Sequence, residues 1–298
     1  MNALQVWHEY LPARVDDTTK IYRSFDLAGI VNLMMLDTRI IGRDKQIDYT
    51  EYFTETGLDT TAFAQDWQSS TRTILGSEQR DWLTGSIASS SAKWQVLGSQ
   101  VLMGKYMIPA EMLVLVAQIT SSGITDELIA QYTQVVTELV TIKSKIALGI
   151  TVTEEEKARV ETVLPYNLDA WDGYPVEREI IFAAASGKNL ISLAGDTHNA
   201  WYSKLSDASG NQVGQELATS SVSSPGFEAI FGDDAETIAA LEQSNTLLID
   251  DLQYTDASRR GYLYVKFTES DVEADWLFVN TLASLDTSTV SGNNVTVV

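Results

Sequence analysis

The sequence predicts an α/β layered sandwich. Three observations point to it. Continuous apolar runs of strand length occur at residues 31–36, 94–97 and 190–194, and each ends in polar residues. Helical periodicity occupies much of the chain between them. Near the C-terminus, Leu263, Val265 and Phe267 alternate with Tyr262, Tyr264 and Lys266. Val272, Ala274, Trp276 and Phe278 then alternate with Glu273 and Asp275. Glu269-Ser270 between the two segments makes them a hairpin with one buried face. Buried strands interleaved with helices and followed by a hairpin suit stacked layers around one core.

The elements follow in order. Leu4, Trp7 and Leu11 recur at helical spacing, with Val6 and Tyr10 beside them, so the chain is expected to open inside a helix. The run 31–36 is a buried strand that delivers Asp37-Thr38-Arg39 at its end. Residues 42–71 are polar with scattered aromatics and read as loop with short helices. Ser77 is placed to cap a helix that carries Trp82, Leu83 and Ile87 on one side. The strand 94–97 leads into Gly98-Ser99-Gln100. Residues 105–164 break the strand pattern and read as an inserted helical pair. Thr125 caps a helix bearing Leu128, Tyr132, Val135, Val136, Leu139, Ile142 and Ile146, with Gly149 at its C-terminal turn. Thr153 and Glu156 make a capping box for the second helix, which Pro165 ends. Such amphipathic helices read as a packing or lid element. The strand 190–194 ends in Gly195-Asp196-Thr197-His198. The expected organisation is a single domain over residues 1–298, with a helical insertion at 105–164 and a flexible tail at 285–298.

Composition narrows the function. The 298 residues carry 20 Lys+Arg and 41 Asp+Glu, a formal net charge of −21. That charge argues against a nucleic-acid partner, which needs clustered cations. There is no cysteine, which removes disulfides, zinc-thiolate sites and cysteine nucleophiles, and the two histidines are His8 and His198. The most apolar stretch, residues 107–117, is interrupted by Pro109 and Glu111 and is too short to span a bilayer, so no integral membrane segment is expected. No G-x-S-x-G elbow, P-loop or G-x-G-x-x-G pattern is present.

Three segments offer chemistry. In GDTHNAW (195–201) an aspartate and a histidine stand two residues apart at the end of a strand. On an extended segment they point the same way and can grip one metal ion or two adjacent ones. A turn aspartate and a loop histidine satisfy the same spacing. In LDAWDGYPVERE (168–179) Asp169, Asp172, Tyr174 and Arg178 gather before that strand, as a pocket wall or as a turn and helix start. In LDTRIIGRDKQ (36–46) Arg39, Arg43 and Lys45 are three cations in an acidic chain. An arginine at a strand end can hold a phosphate bidentately, or it can pair with Asp37, Asp44 or Asp48.

Taken in order, LMMLDTRIIGRDKQ, RTILGSEQRDWL, SSSAKWQVLGSQVLM, LPYNLDAWDGYPVERE, LISLAGDTHNAWYSKL and ELATSSVSSPGF resemble the PhoD-like (alkaline phosphatase D) metallophosphoesterases. The likeness runs from about Trp7 to the terminal hairpin. It implies a metallophosphoesterase-like two-sheet sandwich with flanking helices and with metals at the strand ends. It also implies iron(III) with calcium as cofactors, a small phosphate mono- or diester as substrate, and an extracytoplasmic location. By this resemblance Asp196 and His198 are metal ligands and Arg39 is a catalytic group on the substrate side. Arg43, Trp171, Asp172, Tyr174, Asn199 and Trp201 are substrate-side candidates. The resemblance gives Trp171, Asp172 and Tyr174 a shared motif without individual roles.

The family's other ligands come from an N-terminal half with an aspartate-rich segment resembling W-D-D-H-E, which this sequence lacks. The opening LQVWHEYLPAR resembles the stretch just after that half, so His8 reads as part of a helix face. The expectation is therefore the C-terminal part of the catalytic domain, incomplete at its N-terminus, whose two ligands do not close a dinuclear site without a missing N-terminal segment. In the full-length parent a metal pair would lower the pKa of a bound water and hold the phosphoryl oxygens. The alternative is a catalytically silent fragment or interaction module.

Overall fold

Val31–Met35, Trp94–Gly98, Asn189–Ala194 and Gln212–Ala218 lie side by side as parallel strands. They form the centre of a seven-stranded sheet in the computed structural model, which describes residues 2–13, 15, 17–55, 57–280 and 283–298. Arg23–Leu27 pairs antiparallel with Val31–Met35 at one edge. At the other edge Ala200–Ser206 and Leu252–Asp256 follow Gln212–Ala218, both antiparallel.

Each face of this sheet has its own cover. Met34, Leu97, Leu190 and Leu205 meet Leu83 and Ile87 of the helix Gly76–Ser89 and Ile181 and Phe182 of the helix Pro175–Ala184. On the opposite face Val31, Trp94, Val96, Ile191 and Leu217 pack against Val272, Ala274, Trp276 and Phe278. The latter belong to a three-stranded sheet of Gly261–Phe267, Val272–Val279 and Thr289–Val297. The indole N–H groups join the layers: Trp276 donates to Ala218 O (2.8 Å) and Trp94 to Thr268 O (2.7 Å). A buried indole needs such a partner, and here the partners are Ala218 of the large sheet and Thr268 in the hairpin turn of the small one. Two sheets and a helical layer are thus in place, as the alternation in the sequence predicts.

Several expectations need correction. The segment at the C-terminus does not fray over its whole length, because Thr289–Val297 pairs with Val272–Val279 and places Val295 and Val297 opposite Ala274 and Val272. Its last two alternate positions, Val295 and Val297, put apolar side chains on the buried face despite the Ser/Thr/Asn content. The insertion holds three helices, Ala110–Ser122, Asp126–Ala147 and Glu154–Glu161, above a short ladder of Met107–Pro109 and Val163–Pro165. Arg159 of the third helix binds Glu111 of the first and Glu138 of the second at 2.8 Å each, fastening the three. Pro165 therefore lies in a strand, and the helix ends at Glu161. Thr125 caps as predicted, and the Thr153–Glu156 capping box is formed.

Ser77 is not the cap of its helix, which begins at Gly76. The preceding amides are taken from a distance: Glu177 accepts from Ile74 N (2.6 Å) and Leu75 N (3.2 Å), and Thr73 Oγ1 accepts from Gly76 N (2.7 Å). At the N-terminus, Asn2–Tyr10 is helical, and His8 Nε2 lies 2.9 Å from Thr18 O; among the described residues no group of metal-ligating side chains includes it.

Candidate functional site

In open α/β sheets ligands gather outside the carboxyl ends of parallel strands. Here those ends carry Asp37-Thr38-Arg39, Ser99-Gln100 and Gly195-Asp196. Gln100 links all three. Its Oε1 accepts from Thr38 N (2.9 Å) and Thr38 Oγ1 (2.6 Å), and its Nε2 donates to Leu36 O (2.6 Å). Its backbone O accepts from Gly195 N (3.3 Å) and Asp196 N (3.0 Å). The loop that bears Arg39 is fixed by further bonds. Gln79 clasps the backbone of Asp37 with two contacts of 2.8 Å, while Asp37 Oδ1 accepts from Arg39 N and Ile40 N at 2.9 Å. Gly42 allows the loop to lie on the next helix start, since a Cβ there would stand 2.2 Å from Gly76 N.

Arg39 spans two acidic segments. Its Nη1 donates to Asp169 Oδ2 at 2.6 Å and its Nη2 to Asp196 Oδ2. Arg43 holds the other oxygen of Asp169 at 2.5 Å and also donates to Asp169 O (2.6 Å) and Thr38 O (3.0 Å). The partners left open in the sequence, Asp37, Asp44 and Asp48, are not the ones these arginines take, and Lys45 pairs with exposed Glu51. The result is an alternating row, Asp196–Arg39–Asp169–Arg43, at the sheet rim. Each arm of the Arg39 guanidinium meets a different carboxylate, so neither acid takes up the two-point pairing that one phosphoryl group can offer.

Asp169, which the sequence groups with Asp172, Tyr174 and Arg178 without a role of its own, pairs with both arginines. It is the hub of the row. The signal was its place beside Leu168 in a motif rich in acids, but nothing in the sequence said which cations it would meet, 130 and 126 positions away.

The other candidates divide. Asp196 and His198 are both exposed at the rim. The segment turns rather than extends, with His198 N 3.3 Å from Gly195 O, so strand alternation does not set the directions of the two side chains. His198 has φ +62°, a left-handed backbone that few non-glycine residues adopt, and its Nδ1 lies 3.3 Å from Pro225 O. Asn199 is buried and holds the turn, donating to Thr197 O (2.8 Å) and accepting from Phe227 N (3.2 Å). Trp201 is buried and donates to Thr197 Oγ1 (3.1 Å).

Trp171, Asp172 and Tyr174 are likewise buried, with their polar atoms engaged inside the fold. Asp172 accepts from Arg178 Nη1 (2.6 Å) and Tyr106 N (2.7 Å), and Trp171 Nε1 donates to Ser99 Oγ (3.4 Å). Tyr174 donates to Asp44 O (2.9 Å), and the guanidinium carbons of Arg43 and Arg72 stand 5.3 and 4.9 Å from its ring centroid. Burial raises its hydroxyl above the ordinary phenol range. A Cβ at Gly173 would stand 2.1 Å from Leu168 O, which explains the glycine in this tight turn. The motif therefore forms the bed on which Arg43 and Asp169 rest.

The metal expectation can be tested on the donors. A carboxylate and an imidazole are suitable in type, but Arg39 already sits on Asp196 Oδ2. Among the described residues no group of three or more His, Cys, Asp or Glu side chains is placed to hold an ion. A hard cation needs more oxygen or nitrogen donors than these two. The described residues do not make up a metal site.

Comparison with known proteins gives a consistent picture. The model of the family described as PhoD-like phosphatase matches residues 1–276. Alkaline phosphatase D of Bacillus subtilis (strain 168) is 24% identical over 286 residues, covering 92% of this chain and 38% of that protein. A solved structure described as "Structure of PhoD" superposes with a TM-score of 0.63 at 22% identity, over 99% of this chain and 46% of that one, a likeness of fold. This chain spans less than half the length of either relative.

Proposed function

The chain belongs to the PhoD-like phosphatase family, and on that premise we propose that its strand-end rim binds and hydrolyses small phosphate esters. The observation that carries the reading is the forked contact of Arg39 with Asp169 and Asp196, backed by Arg43. A phosphoryl group presents oxygens with the spacing of a carboxylate, so it can displace one acid from the fork and take its place. Water attacks phosphorus as the ester P–O bond breaks, its proton passes through solvent to the departing alcohol, and Arg39 faces the phosphoryl oxygens through this step while Asp169 and Arg43 keep the guanidinium oriented. In a chain of net charge −21 such local cations are what admit an anionic substrate.

Metal dependence, with iron(III) and calcium as the ions to supply, belongs to this proposal, as do action on diesters and an extracytoplasmic setting. Asp196 and His198 are two of the donors such ions would need, and the described residues do not complete the set. The test is hydrolysis of p-nitrophenyl phosphate and bis(p-nitrophenyl) phosphate by the purified chain, with and without added iron(III) and calcium. Turnover is expected, and Arg39→Ala should lower kcat/KM by about a hundredfold. Absence of turnover under every ion condition, or an Arg39→Ala variant as active as the parent, would overturn the reading.

A further inference from the structure

A cleft of about 890 Å³ opens beside the rim and shares Thr197 with it, the residue between Asp196 and His198. Its walls come from distant parts of the chain. Tyr49 follows the loop that carries Arg39 and Arg43. Tyr106 and Tyr166 flank the ladder beneath the helical insertion, Val116 projects from the helix Ala110–Ser122, and Phe227 follows the turn held by Asn199. The rings of Tyr106 and Tyr166 are 4.8 Å apart, and buried Trp201 braces Tyr106 at 5.0 Å and Phe227 at 6.1 Å. Trp201 in turn donates to Thr197 Oγ1, so the cleft wall and the rim turn share one support. Burial also raises the hydroxyls of Tyr49, Tyr106 and Tyr166, which keeps these phenols neutral in mildly alkaline solution.

We propose that this cleft receives the organic group of the ester and that the group it favours is aromatic. The inference rests on the phosphoester reading of the rim. A phosphoryl group on Arg39 leaves its alcohol part to lie alongside, and the cleft adjoins the rim at Thr197. Lys45 and Asp48 also line the cleft, while Tyr49, Phe53, Tyr106, Tyr166 and Phe227 give it a ring-rich wall, and pockets of several hundred cubic ångströms with such walls suit ring-bearing ligands. A planar ring gains edge-to-face contacts with Tyr106, Tyr166 and Phe227 that an aliphatic chain of equal area does not. The helical insertion thereby acquires a role: its first helix supplies one wall of the specificity cleft.

The experiment uses two readouts. The first is saturable binding of 2-naphthol, which carries no phosphate, followed by its fluorescence. The second is KM for 2-naphthyl phosphate against methyl phosphate. Val116→Trp fills the cleft from the insertion, and Thr120→Trp does so from an exposed position of the same helix, where folding is tolerant of the change. Naphthol binding is expected in the parent and should weaken at least about tenfold in both variants. KM for the naphthyl ester should lie about tenfold below that for the methyl ester, and the gap should close in the variants. Absence of naphthol binding, or binding that survives both substitutions, overturns the proposal. Turnover without preference for the naphthyl ester also overturns it. Naphthol binding removed by both substitutions, with neither ester turned over, supports the cleft and sinks only the phosphoester reading.

Discussion

Two arginine–carboxylate clusters lie close together in this molecule and differ mainly in their exposure to water. At the rim, Arg39 and Asp196 are paired with side chains 35% and 38% exposed. Beneath it, Arg178 and Asp172 are paired at 2.6 Å with 3% and 1% exposure. The inner pair is closed by backbone: Asp172 also accepts from Tyr106 N, and Arg178 also donates to Met103 O (3.2 Å). Glu216 completes this interior group, accepting from Met103 N (2.6 Å), Gly104 N (2.8 Å) and Ser192 Oγ (2.9 Å). The outer row has water as an alternative partner, which under the proposed function lets it exchange an acid for a substrate oxygen. The inner group has no alternative and fixes the loop after Trp94–Gly98. The same residue types thus provide rigidity in one place and exchange in the other, and burial decides which.

The largest expected effect comes from breaking the inner pair. Asp172→Ala strands a buried guanidinium and the amide of Tyr106, and should lower the free energy of unfolding by about 3–5 kcal/mol. Urea denaturation measures it. A loss below about 1 kcal/mol would mean that the interior pair behaves like a surface pair, and the contrast would fall.

Glu216 gives a pH-dependent form of the same contrast. Burial pushes its carboxyl up to about 7 from the usual 4.5, although the bonds from Met103, Gly104 and Ser192 pull the other way. The folded protein therefore holds this proton more tightly than the unfolded chain. The resulting stabilisation is complete below about pH 4.5 and is lost as pH rises through about 7, a change of about 3 kcal/mol. Glu216→Gln removes the titrating group. Stability measured for both proteins between pH 4.5 and 7.5 should show the parent losing that amount relative to the variant. A difference that stays constant with pH would show that Glu216 is ionised alike in both states.

The strands and the hairpin were legible because buried strands need apolar runs or alternation, and residues 31–36, 94–97, 190–194 and 261–279 have one or the other. Ala200–Ser206 and Gln212–Ala218 were harder to read. Lys204, Gln215 and buried Glu216 interrupt their apolar pattern, and Glu216 is tolerable only because a distant loop supplies its hydrogen bonds. The site was legible as segments. Arg39, Arg43, Asp196 and His198 stood out because cations and a histidine are scarce in this chain. Their connections were not legible, since Asp169 meets Arg39 across 130 residues and Gln100 joins three strand ends by geometry alone. Burial was not legible either, and it separates Trp171, Asp172 and Tyr174 from the exposed rim.

The smallest expected effect on stability is at the rim, and it sharpens the comparison most. Arg39→Ala removes two ion pairs, more than Asp172→Ala removes. Counting contacts would rank it first. Exposure ranks it last, because Asp196 can take water in place of Arg39 and Asp169 keeps Arg43. The free energy of unfolding should change by less than about 1 kcal/mol. Raising the ionic strength should weaken whatever coupling the rim has while leaving the Asp172→Ala deficit unchanged. A loss of several kcal/mol on Arg39→Ala would mean that the row is a structural clamp, unable to give up an acid to an incoming phosphate. A small loss of stability together with a large loss of turnover is the signature of a group held ready for exchange.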